Sequence, residues 1–241
     1  MKIKLLFLII VLVNSNFFGQ SSDSTTVKKD AFSYKKVILP VALFASGLAL
    51  KNTETNKKLQ KDIQKILSPD FETKAEDFFQ FAPIVQIYGG RFIGFKSKNN
   101  LKQQTINIVL ANLISTTIVK SAKHSFLVTR PDNTDNYSFP SGHTATAFTN
   151  ASLLFYEYKD SNIWYASSGF MFASATGFLR IANNKHYTSD VLAGAGIGLG
   201  VGLAVSYWSP FKSFTVGKNK THAIIYPQVG ENYGIGMLIR N

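Results

Sequence analysis

Cysteine is absent from all 241 residues, which excludes disulfides, thiol catalysis and an anchor lipidated on cysteine. Histidine is scarce too. The four residues His124, His143, His186 and His222 form no close pair at the spacing of a zinc site, so no metal or other cofactor is expected. Carboxylates are few: 14 stand against 26 lysines and arginines, and the formal charge of +12 suits anionic partners. Nucleic acid is not the partner expected, because the lysines are scattered among apolar segments and no binding motif accompanies them. No internal repeat is present, which excludes a solenoid. The alternating glycines Gly194, Gly196, Gly198, Gly200 and Gly202 fit no G-x-G-x-x-G register and follow no strand, which excludes a dinucleotide loop.

What is present begins with a leader. Residues 1–20 read as a secretory signal peptide, with Lys2 and Lys4 ahead of an apolar run over 5–13 and small or polar residues from Asn14 to Asn16. That run is too short to span a bilayer comfortably. Removing Lys2 and Lys4 with it lowers the formal charge by two, to +10. A polar leader follows over 21–35. Residues 36–210 then read as one helical domain, an all-α bundle of about six helices buried in a membrane or resting on one. Its apolar segments are 37–50, 78–95, 106–119, 144–158, 163–181 and 191–208. Residues 51–65 are lysine-rich and amphipathic, with Leu59, Ile63, Ile66 and Leu67 at helical spacing, the pattern of a surface helix. Several segments carry polar residues unusual for lipid-facing helices, among them Gln80, Gln86, Arg91, Asn107, Asn112 and Ser115. Gly194, Gly198 and Gly202, four apart, form a small-residue face for close helix packing. Residues 211–241 are a β-like tail, with short strands expected at 213–216, 223–226 and 234–239.

Three polar islands sit at the ends of apolar segments. The first carries Lys123, Arg130 and Pro131, the second Pro140, Ser141, Gly142 and His143, and the third Arg180, His186 and Asp190. Three cations, two histidines and one carboxylate make an electropositive set suited to a tetrahedral oxyanion. Ser141, Gly142 and His143 open a helix, so backbone N–H groups and the positive helix end can meet the same anion. Asp190, four residues after His186 on a first helical turn, is placed to fix the ring tautomer and leave the other nitrogen as a nucleophile or base. His143 is then free to protonate a leaving oxygen. The cations themselves can neutralise the phosphoryl oxygens, so the chemistry requires no metal.

These islands resemble the three signature motifs of the type-2 phosphatidic acid phosphatase superfamily, K-x6-R-P, P-S-G-H and S-R-x5-H-x3-D, in the same order. The resemblance covers roughly residues 78–208. Leu179 stands where the family has serine, which removes one hydrogen bond but no ionisable group. It implies a metal-independent phosphatase in which His186 attacks phosphorus, Asp190 orients it and His143 protonates the departing alkoxide. Lys123, Arg130, Ser141, Gly142 and Arg180 would hold the phosphoryl oxygens. The substrate implied is a lipid or glycolipid phosphate such as lipid A, undecaprenyl pyrophosphate or phosphatidic acid. The same fold also hosts soluble-substrate acid phosphatases and the usually much larger vanadium haloperoxidases, in which His186 would coordinate vanadate. A non-catalytic membrane scaffold is the reading from another class, and retention of His143, His186 and Asp190 argues against it. The expected location is exported and membrane-associated with the site facing the periplasm, provided that 37–50 does not span while 78–95 and 106–119 do.

Overall fold

The computed structural model describes residues 32–67, 71–208, 222–228 and 234–240. The signal peptide, most of the polar leader and the strand expected at 213–216 lie outside the described residues. The chain divides into two compact units at Phe32/Ser33, and every element below belongs to the second, Ser33–Asn241. That unit is an all-α bundle with a short β tail. Among the described residues it has eight helices: α1 (Lys35–Leu50), α2 (Glu54–Ile66), α3 (Ala75–Phe79), α4 (Ala82–Phe92), α5 (Leu101–Phe126), α6 (Gly142–Tyr158), α7 (Ile163–Ala182) and α8 (Thr188–Trp208). Strands β1 (His222–Gln228) and β2 (Gly234–Arg240) pair antiparallel, with His222 opposite Arg240 and Gln228 opposite Gly234.

The count exceeds six for two reasons: the amphipathic stretch at 51–65 adds α2 to the six apolar segments, and one of those segments is split in two. The apolar run expected over 78–95 is broken, because Pro83 lies in the first turn of a new helix, where its missing N–H costs nothing. Five-residue α3 and eleven-residue α4 result, and neither is long enough to cross a bilayer. The expectation that 78–95 is a membrane span is therefore corrected.

At the centre, α8 lies between α1 and α6 with almost no side-chain volume between the backbones. A Cβ on Gly198 would stand 2.5 Å from the Ala145 carbonyl oxygen, and one on Gly194 would stand 2.6 Å from that of Ser141. On the other side a Cβ on Gly196 would meet the Pro40 oxygen at 2.6 Å. The small-residue face serves helix packing, as its spacing predicts. The polar residues along α5 also find their purpose here. Asn112 donates to Asn150 Oδ1 (2.8 Å), Asn150 to the Gln80 carbonyl (3.0 Å), and Thr149 to Ser115 (3.2 Å), so a buried ladder joins α5 to α6.

The amphipathic stretch 51–65 seats differently from its apolar pattern. On α2 the buried residues are Asn56 and Gln60, while Ile66 is 66% exposed. Gln60 and Gln64 donate to the carbonyl of Ile181 (3.0 and 3.1 Å) and Gln64 to that of Ala182 (3.1 Å), at the end of α7. α2 bends 93° away from α1, and Lys51 at the bend lies over the Phe126 ring, 4.4 Å from its centroid.

By length and composition α5 and α8 can cross a membrane, and a third crossing exists if α1 and α2 count as one bent span. Large apolar side chains stand exposed along the bundle, including Val109 and Leu113 on α5, Met171 and Phe178 on α7, and Phe92. Such surface in water would be a large apolar patch. The protein is membrane-associated.

The α6–α8 contact makes a direct prediction. Gly198→Ala should destabilise the protein by about 2 kcal/mol or more through overpacking, whereas Gly200→Ala, whose Cβ would meet nothing closer than Pro40 Cβ at 3.7 Å, should be neutral or stabilising. Thermal unfolding of the two variants in detergent measures the difference.

Candidate active site

The three islands meet at one end of the bundle because each sits at a helix terminus. Lys123 lies in the last turn of α5, and Arg130 follows in the loop to α6. Ser141 caps α6, its Oγ accepting from Thr144 N (3.5 Å), and among the described residues the N–H groups of Gly142 and His143 have no acceptor. Arg180 and His186 bracket the end of α7. There Lys185 N and His186 N both donate to the Arg180 carbonyl (3.1 Å each), and Asn184 N donates to that of Ile181 (3.0 Å). Asn184 turns the chain in the left-handed region (φ 56°), which asparagine tolerates better than most residues. This helix-ending turn sets the five-residue spacing between Arg180 and His186.

Asp190 occupies the first turn of α8 and is fully buried. Its Oδ2 accepts from Tyr187 N (2.9 Å), a reach-back across the first turn. Ser138 Oγ donates to the same oxygen at 2.5 Å, Ser189 Oγ to Oδ1 at 3.1 Å, and the backbone N–H of Ser141 to the Asp190 carbonyl at 3.0 Å. His186 is 1% exposed, with Nδ1 3.4 Å from Asp190 Oδ2. That is longer than a strong hydrogen bond, and Ser138 Oγ shares the space, 3.5 Å from Nδ1. On the other side of the ring Arg130 Nη1 donates to Nε2 at 3.2 Å. A guanidinium can only donate, so Nε2 carries the lone pair and Nδ1 the proton. Burial lowers the His186 pKa to about 4, although Asp190 works against the shift.

The remaining residues are held by partners of their own. Arg130 is held by Asp135 (Nε to Oδ1, 2.8 Å), and Lys123 Nζ bonds the carbonyls of Tyr137 and Ser138. Arg180 Nη1 bonds Glu76 Oε1 (3.2 Å), while its buried Nε has no partner among the described residues. His143 Nε2 lies 2.8 Å from Asp77 Oδ1. Burial and the Arg180 charge lower the His143 pKa, with Asp77 and Glu76 acting in the opposite sense. All eight residues singled out in the sequence therefore converge. Ser138, Asp135, Glu76 and Asp77 join them unannounced. Ser138 and Asp135 lie within or beside the islands, but Glu76 and Asp77 arrive from a helix with no sequence signal linking it to the site. His124 stays apart, its Nδ1 on the Lys120 carbonyl (2.8 Å).

A model of the PAP2 superfamily matches residues 104–214, which takes in all three islands. The chain belongs to the PAP2 superfamily. It is 35% identical over 167 residues to a Porphyromonas gingivalis protein named lipid A 1-phosphatase, an alignment covering 69% of this chain and 37% of that one. The chain thus spans less than two fifths of that relative. The crystal structure of a transmembrane PAP2 type phosphatidylglycerolphosphate phosphatase from Bacillus subtilis shares the fold, with a TM-score of 0.53 at 19% identity over 76% of this chain and 100% of that one. The crystal structure of Aquifex aeolicus LpxE aligns with a TM-score of 0.47 at 24% identity, covering 66% and 98%.

Burial of a neutral histidine in this PAP2 site has a consequence for stability. Between pH 6.5 and about 4 the unfolded chain takes up a proton at His186 that the folded chain refuses, so stability falls as pH drops through that window and levels off below it. The loss should be on the order of 3 kcal/mol. Unfolding midpoints across this range should fall less steeply for His186→Asn than for the wild type.

Proposed function

We propose that this protein is a metal-independent phosphatase acting on a lipid or glycolipid phosphate through a phosphohistidine on His186. One observation carries the reading. In a buried, cation-lined pocket the Nε2 lone pair of His186 faces Arg130 while Nδ1–H faces Asp190. A ring so oriented is a nucleophile aimed at whatever the guanidinium holds. Lys123, Arg130, Arg180 and the amides of Gly142 and His143 would bind the phosphoryl oxygens, with Ser141 capping the helix that presents them. His186 Nε2 forms a bond to phosphorus as the ester bond breaks, and His143 gives its proton to the departing alkoxide. Water then attacks, His143 takes up its proton, and the phosphorus–nitrogen bond breaks to release phosphate. Asp190 and Ser138 orient the His186 ring throughout.

A lipid substrate fits the exposed apolar faces and the name of the Porphyromonas gingivalis relative, which places lipid A first among the substrates to test. The catalytic domain would be residues 36–210, with 211–241 as an appended tail. The leader character of residues 1–20 supports export; a site facing the periplasm is the orientation we propose to test, with no support from a span at 78–95.

Two measurements test this. Purified protein should release phosphate from lipid A, undecaprenyl pyrophosphate or phosphatidic acid in excess EDTA and be inhibited by vanadate. His186→Ala should abolish turnover and the acid-labile phosphoenzyme, and His143→Ala should slow alkyl phosphates about a hundredfold or more while sparing activated aryl phosphates. Activity lost in EDTA and restored by magnesium or zinc would refute the metal-free mechanism. For orientation, Asn136→Cys lies beyond the site end of α6 and Asp160→Cys beyond the other end. A membrane-impermeant maleimide should label the first and not the second in intact spheroplasts; the reverse pattern places the site inside.

A further inference from the structure

His143 is held by a residue from outside the three islands. Asp77 Oδ1 lies 2.8 Å from its Nε2, and the two side chains are 50% and 32% exposed. A half-exposed pair of this kind contributes little stability by itself. The backbone that carries Asp77 is nevertheless fixed. Its neighbour Glu76 is 2% exposed and bonds Arg180 and Asn183. Asn183 also brackets Thr73, accepting from its N–H (3.1 Å) and donating to its carbonyl (2.7 Å). α3 is thereby pinned to the end of α7, with one carboxylate on Arg180 and the next on the second histidine.

We propose that Asp77 is a positioning residue for His143, holding Nε2–H so that the proton passed to the leaving oxygen is the one on Nδ1. The inference rests on the phosphatase reading above. With Nε2–H on the carboxylate, the neutral ring has its lone pair on Nδ1 and the cationic ring has a proton there. As the His186–phosphorus bond forms and the ester bond breaks, the Nδ1 proton goes to the alkoxide and yields the alcohol. In the second step the attacking water gives its proton to Nδ1, the phosphorus–nitrogen bond breaks and His143 is again a cation. Asp77 stays ionised in both. The charged groups facing His143 are Arg180 from α7 and Glu76 and Asp77 from α3, so Asp77 offsets the arginine and the burial that disfavour the cation.

The test uses the full-length protein with two substrates, a lipid phosphate with an alkyl leaving group and p-nitrophenyl phosphate. In Asp77→Asn and Asp77→Ala, kcat/KM for the alkyl substrate should fall by about tenfold to a hundredfold, and the alkaline limb of its pH profile should move to lower pH. Turnover of the aryl substrate should change by less than about threefold, and Asp77→Glu should recover part of the alkyl activity. Vanadate inhibition at the wild-type concentration reports an intact pocket, and the isosteric asparagine variant keeps the test valid should alanine disturb it. Equal losses on the two substrates, or an unmoved alkaline limb, overturn the assignment of Asp77 and leave the phosphatase reading standing. A wild-type protein inactive on both substrates overturns the two together.

Discussion

A buried carboxylate cannot stand alone, and the requirement that Asp190 be satisfied organises this end of the molecule. Its side chain draws hydrogen bonds from Ser138, Tyr187 N and Ser189 and faces the His186 ring, while its carbonyl receives Ser141 N. One residue therefore fastens the loop before α6, the cap of α6, the turn after α7 and the start of α8 to one another. Removing a partner would leave a buried charge uncompensated, at a cost of several kcal/mol. The same carboxylate faces Nδ1 of His186 while Arg130 donates to Nε2, so the anchor of the fold also takes part in setting the tautomer of that ring.

Around that anchor the site is assembled from helix termini. Ends of helices carry unpaired N–H and C=O groups that need partners. Here the carbonyls at the end of α7 are met by Gln60 and Gln64 of α2, and Asp190 takes an amide at the start of α8. At the start of α6 the amides of Gly142 and His143 have no acceptor among the described residues, and they lie beside cations whose other bonds hold them in place.

Much of the site was legible because its spacings are local. Arg180 and His186 are separated by a helix-ending turn, and His186 and Asp190 by a first turn, so the intervals encode geometry within a dozen residues. The glycine face of α8 was legible for a similar reason, since a four-residue repeat marks one side of a helix. Glu76 and Asp77 were not. They reach Arg180 and His143 from 104 and 66 residues away, and adjacent acids on a short helix look like any solvated pair. The seating of α2 was not legible either, because the contact is made by amide side chains on carbonyls at the end of α7 and leaves no mark in the spacing of Leu59, Ile63 and Ile66. The break at Pro83 lay inside an apolar run, and composition alone does not divide such a run.

The absence of side-chain volume between α6 and α8 has a mechanical meaning. With Gly194 and Gly198 against the carbonyls of Ser141 and Ala145, neither helix can slide or rotate past the other without backbone collision. The wall bearing Ser141, His143 and Asp190 is thus a rigid jaw. Any movement at this end of the molecule therefore falls to elements outside that wall.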